Sequence, residues 1–203
     1  MSILSVMDWV TANVNSSLSP RVNGTIQNGA VGVLNSAGFT SSNLVVFDYS
    51  AKVVDVAQSA AIFVECMENQ SEQKTMGGAD GYLFTNYLID LIIVYHADFS
   101  QSDSTPTFAS QRIADRKFYS LVNEVSELSR LMMYEYDEDN RLEAPIYTIF
   151  DPVSNKESSI VGILPMTDVQ ISKPVRREDV SSLKYVGMVS FIVKEQQIVK
   201  RSD

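Results

Sequence analysis

Residues 82–96 read YLFTNYLIDLIIVYH, and the alternation in this run decides the fold. Leu83, Tyr87, Ile89, Leu91, Ile93 and Tyr95 fall on one side of an extended chain, and Tyr82, Phe84, Leu88, Ile92 and Val94 on the other. Successive side chains of a strand point to opposite faces, so a run that is apolar on both sides describes a strand covered twice. One cover is expected from the chain's own helix. The other is expected from an N-terminal piece or from a neighbouring copy.

Upstream, Ala61–Met67 reads as a second strand. Between the two lies ENQSEQKTMGGADG, residues 68–81, polar throughout and glycine-rich at its end. It is expected to be an exposed, mobile loop. Downstream, the Ser- and Asp-rich linker Ala97–Pro106 leads to Thr107, a candidate N-cap. From there Phe108, Ile113, Phe118, Leu121, Val122, Val125, Leu128, Leu131 and Met132 recur at helical spacing, with Arg112, Asp115, Arg116, Lys117, Glu124 and Glu127 mostly off that stripe. This predicts an amphipathic helix of roughly seven turns.

The flanking regions extend the same class. Ile3, Val6, Met7, Val10 and Val14 form a single apolar stripe with Trp9 beside it, so an N-terminal helix is predicted, stopped by Ser16, Ser17, Ser19 and Pro20. Residues 20–58 carry Asn23-Gly24, Asn28-Gly29, Gly32 and Gly38 between short apolar pieces, with one short strand at Leu44–Phe47. That region reads as an insertion or an extended arm. After the long helix come the acidic residues Glu135, Asp137, Glu138 and Asp139, a strand at Ile146–Phe150 and a turn at Pro152–Ser159. A strand follows over Ile160–Leu164 and Thr167–Ile171, interrupted at Pro165, and the last strand is Tyr185–Lys194. The predicted class is α+β in a single domain over residues 1–203: a mostly antiparallel sheet packed on one long amphipathic helix, with an N-terminal helix.

Bulk properties narrow the function. The 203 residues carry a net charge of −9, which opposes nucleic-acid binding because that affinity comes mainly from neutralised phosphates. Lys173, Arg176 and Arg177, with Lys184 further on, make a short basic exception that reads as a solvated loop. Strong acidity suits a protein kept soluble before assembly, or one lining a passage through which nucleic acid slides without adhering. No run is apolar enough for a membrane span, and Met1–Trp9 has no secretory character, so a cytosolic origin is expected. The single cysteine, Cys66, excludes an intrachain disulfide and reads as a small core hydrophobe.

Chemistry-bearing residues are sparse. His96 is the only histidine, at the end of a β run, with no triad pattern around it. Asp137, Glu138 and Asp139 offer oxygen ligands without EF-hand spacing. Gly77, Gly78, Ala79, Asp80 and Gly81 have the glycine content of a phosphate loop, but a strand follows where a helix should open. No catalytic residue, cofactor or metal is expected, and the protein is not expected to be an enzyme. The alternative from another class is a small-ligand-binding α+β domain with Tyr82, Phe84, Tyr87, Tyr95 and Phe118 around a pocket.

The succession Ala60-Ala61-Ile62-Phe63-Val64-Glu65, then Asp90-Leu91-Ile92-Ile93-Val94-Tyr95, a Ser/Asp linker, the helix Ala109–Met133 and the closing Gly187-Met188-Val189-Ser190-Phe191-Ile192-Val193 carries a resemblance. Over about residues 60–194 the chain resembles the tail terminator (tail completion) proteins of long-tailed bacteriophages and their minor-tail relatives. The likeness is one of pattern, without a diagnostic motif, and residues 20–58 make this chain longer than the smaller family members. The resemblance implies a virion protein assembled in the host cytoplasm into a homo-oligomeric ring, commonly a hexamer. That ring would cap the tail tube and meet a neck or connector protein, with DNA passing through its lumen unbound. Another neck or connector component is the alternative within that class. The interface residues it suggests are Glu68, Glu72, Lys74, Gly77, Gly78 and Asp80 in the polar segment, with Lys173, Arg176 and Arg177 pairing acidic groups on the tube or a neighbouring subunit.

Overall fold

The computed structural model describes residues 3–23, 32–47, 59–75, 81–99, 108–131, 135–136, 142–143, 147–151, 156–172 and 182–199. In chain order the elements are α1 (Ile3–Asn23), α2 (Val33–Ser36), β1 (Leu44–Phe47), β2 (Ala60–Thr75), β3 (Gly81–Asp98), α3 (Phe108–Leu131), β4 (Glu135–Tyr136), β5 (Leu142–Glu143), β6 (Tyr147–Asp151), β7 (Lys156–Ser172) and β8 (Ser182–Val199). Six strands form one sheet in the order β1-β2-β3-β8-β7-β6, while β4 and β5 pair separately. Only β1–β2 is parallel, so the sheet is mostly antiparallel and the class is α+β.

The odd-numbered side chains of β3 (Tyr87, Ile89, Leu91, Ile93, Tyr95, Ala97) are buried in one cluster with Val6, Val10, Val14, Leu18 and Val22 of α1 and Ala114, Phe118, Leu121, Val122, Val125 and Leu128 of α3. Both helices therefore lie on the same face of the sheet. The N-terminal helix is not the second cover of β3. It runs against β1 and β2 at one edge and β6 at the other, so the sheet curls around the helical layer.

The close approach of α3 to β8 requires a glycine. A Cβ on Gly187 would sit 3.0 Å from Val122 Cγ2 and 3.1 Å from Phe118 Cζ. Beside it, Tyr185 lies 5.2 Å from Phe118 and 5.7 Å from Tyr95, ring centre to ring centre, and its hydroxyl donates to Asp115 at 2.8 Å. Burial first, and then the hydrogen bond to a carboxylate, push the Tyr185 phenol well above its ordinary range.

Five expectations are corrected. Helix α1 runs through Ser16–Pro20 to Asn23, because Leu18 and Val22 continue the buried stripe and their packing outweighs the one hydrogen bond that Pro20 cannot donate. The supposed loop at Glu68 is strand: residues Glu68–Thr75 pair residue by residue with Leu88–Gly81, leaving only residues 76–80 between β2 and β3. Eighteen-residue β3 spans about 60 Å and the 24-residue α3 only about 36 Å, so the sheet outruns its helices. Where no helix must be met, ladder hydrogen bonds hold a strand of polar residues. On α3, Ile113 is 58% exposed and Ala114 takes its place in the core. The turn read over Pro152–Ser159 is strand from Lys156 onward, pairing with β6 from Asp151 back to Thr148. Lastly, within the region read as an insertion or an extended arm, Leu34, Phe39 and Leu44 are core residues.

Short-range contacts tie that region down. Asn35 Nδ2 donates to the carbonyl of Val22 at 2.9 Å, satisfying an acceptor in the last turn of α1. Gly32 packs so closely on Arg21 that a Cβ there would meet its carbonyl oxygen at 2.1 Å. The side chain of Arg21 in turn pairs with Glu124, which is buried on α3, and reaches Glu127 at 3.7 Å. Arg21→Met strands the Glu124 carboxylate and is expected to cost about 1–3 kcal/mol in denaturant unfolding. The double change Arg21→Met/Glu124→Leu should cost less than Arg21→Met alone, because no charge is then left buried.

Candidate assembly interface

The sheet face opposite the helices is built row by row from the strand register. Val45, Ala61, Val94, Val186 and Ser172 form one row across β1, β2, β3, β8 and β7; Phe47, Phe63, Ile92, Met188 and Gln170 form the next. A polar row follows, Glu65–Asp90–Ser190, and then a row of Glu68, Leu88, Ile192 and Leu164. The Phe47 and Phe63 rings stack at 5.5 Å. Most of these apolar residues are partly exposed, and Leu164 is 52% exposed. Among the described residues no helix lies over this face. The β7–β8 side of it carries a groove of about 320 Å³ lined by Ile92, Gln170, Ile171, Ser172, Val186, Gly187 and Met188.

The even-numbered residues of β3 thus make the second apolar side read from the alternation, and no described element of the chain's own covers it. Ala61, Asp90, Val94 and Ser190 of this face are buried, and its partly exposed apolar residues fall in two groups on either side of the polar row, more than the singly scattered apolar residues normal on a soluble surface.

Of the interface residues drawn from the sequence, Glu68 is exposed on this face beside the bulge between Cys66 and Glu68. Glu72 and Lys74 occupy register positions opposite Phe84 and Tyr82. Gly77, Gly78, Asp80, Lys173, Arg176 and Arg177 lie outside the described residues. The residues missed are the larger part of the band: Phe47, Phe63, Val186, Met188 and Leu164. For Val186 and Met188 the signal was the alternation of β8, Val186-Met188-Ser190-Ile192 against Tyr185-Gly187-Val189-Phe191-Val193, which is as two-sided as that of β3; Phe47, Phe63 and Leu164 join them only through strand pairing.

The chemistry-bearing residues do not converge. His96 sits on the sheet face away from the helices, opposite exposed Lys184, and burial and that ammonium both hold its pKa below the ordinary imidazole value. The Cys66 thiol, partly buried against the core, is pushed up chiefly by burial. Tyr87 donates to Glu195 at 2.6 Å inside the core, which with burial drives its phenol far upward. Tyr87, Tyr95 and Phe118 are core residues, whereas Tyr82 and Phe84 belong to the opposite sheet face, so the five aromatics do not line one pocket. Among the described residues no group of three or more His, Cys, Asp or Glu is placed to hold a metal ion, and no helix is long and apolar enough to cross a membrane. Asp137, Glu138 and Asp139 lie outside those residues.

Neither a scan against protein-family models nor a search of curated proteins finds a match to this chain.

Proposed function

We propose that this chain is a structural subunit that assembles with copies of itself into a closed ring, acting as a tail terminator of a long-tailed bacteriophage. The ring caps the finished tail tube and joins it to the neck, within the virion. The observation that supports this reading is the apolar outer face of β2, β3 and β8, over which no described helix lies. Burial of such a face between copies supplies the association energy, and closed cyclic symmetry leaves none of it exposed. The net charge of −9 fits a lumen that conducts DNA without holding it. The pattern of strand, long hairpin, long helix and closing strands, on which the resemblance to tail terminators rests, supports this choice among ring-forming proteins.

The test is assembly with tail tube protein. Electron microscopy of growing tubes should show a ring at one end only, and added chain should arrest elongation. Tubes that elongate unaffected, with the chain remaining unbound, would exclude the terminator role.

A further inference from the structure

Two patches of the molecule, one on the helical side and one at the edge of the outer sheet face, are opposite in charge and alike in having an apolar centre. The first is a groove of about 410 Å³ between α2 and α3, lined by Val33, Ser36, Ala37, Ile113, Arg116, Lys117 and Ser120. Val33 is 50% exposed, Ile113 stands out from the core stripe, and exposed Arg112 precedes Arg116 by one helical turn. None of Arg112, Arg116 and Lys117 has an acidic partner among the described residues. In a chain of net charge −9 such a basic rim is locally out of keeping.

The second patch is the β-bulge of β2. The register slips between Cys66 and Glu68, leaving Met67 60% exposed between Glu65 and Glu68. A bulge inserts one residue without a partner and turns it outward. Methionine is unbranched and adaptable, suited to filling an irregular apolar groove. Both flanking carboxylates belong to the sheet face that no described helix covers.

We infer that neighbouring copies meet head to tail, the basic-rimmed α2–α3 groove of one seated on the acidic bulge of the next, with Met67 against Val33 and Ile113 and the carboxylates of Glu65 and Glu68 facing Arg112, Arg116 and Lys117. The occupant is a second copy because the complement of the groove, in charge and in apolar centre, is on this chain. A two-fold contact of groove with groove would set like charges together, whereas unlike patches meet head to tail and generate rings where the rotation between copies closes. The contact also places the helical side of one copy over the sheet face of the next that no described helix covers, giving β3 a second helical cover. This inference rests on the ring reading above.

Charge reversal tests it on the full chain, with mass by sedimentation and fold by circular dichroism. Arg116→Glu/Lys117→Glu and Glu65→Lys/Glu68→Lys should each keep the wild-type fold and raise the concentration for half-assembly by on the order of 100-fold. Mixing the two reversed proteins, or combining all four changes in one chain, should restore rings, because each reversed groove then finds a reversed bulge. Should a reversed chain misfold, Met67→Cys/Ile113→Cys in a Cys66→Ser chain gives a second reading: oxidation should link copies into ladders on denaturing gels. Wild-type rings with reversed chains that assemble as well as wild type, or reversed chains that mixing does not rescue, would overturn this contact and leave the ring reading standing. A wild-type chain that forms no ring would sink both.

Discussion

Phe118→Ala is expected to remove about 3–5 kcal/mol of folding stability, the largest loss from any single truncation in the helical layer. Phe118 is 0% exposed, lies over Gly187 and packs against Tyr185, so it joins α3 to the middle of β8. The truncated ring leaves a cavity that its neighbours cannot close. Gly187 has no side chain to move inward, and Tyr185 is held by its hydrogen bond to Asp115. Since domains of this size are stable by about 5–15 kcal/mol, the change consumes a large part of the total. Phe118→Leu keeps most of the volume and should cost less than half as much. Urea unfolding with an unchanged m-value measures both. A loss below about 1 kcal/mol for Phe118→Ala would mean that α3 does not pack on β8 as described.

Ile92→Lys and Met188→Lys, made separately, are expected to have the opposite signature. The two residues are direct partners on β3 and β8, partly exposed on the face away from the helices. In an isolated copy a long cationic side chain there extends into water, so stability should change by no more than about 0.5–1 kcal/mol. In a ring the same ammonium is buried without a partner, which costs about 3–5 kcal/mol at each contact. The expected result is a folded chain with wild-type unfolding behaviour that no longer assembles. Sedimentation beside circular dichroism separates the two effects. A variant that assembles normally would remove this face from the interface, and one that unfolds would mean that the face is core.

The division between these outcomes follows how the chain encodes itself. Burial is written in periodicity, so β3, β8 and α3 were legible, and with them the class of the fold. The two-sided alternation of residues 82–96 also announced a second apolar face. What periodicity does not carry is pairing. Asn69–Thr75 have the composition of a loop and are strand because β3 beside them offers a continuous ladder. Ile113 fits an apolar stripe by spacing, but the helix turns Ala114 inward and leaves it outside. Leu34 and Phe39 lie between turn signals in short pieces too brief for any period, and their burial depends on distant elements: α2, which carries Leu34, packs on α1, and the Phe39 ring meets Tyr95 of β3 edge-on at 5.7 Å. The placement of α1 on the same side as α3 is likewise a tertiary fact, and it leaves the outer sheet face without a helix among the described residues.

That face, over which no described helix lies, is the core of the account, and the state of the purified wild-type chain tests it most directly. Electron microscopy with sedimentation on the full-length protein should show closed rings with a central hole, of one discrete mass several times that of the 22.6 kDa chain. A particle of monomer mass at every concentration, with and without tube protein, would contradict it.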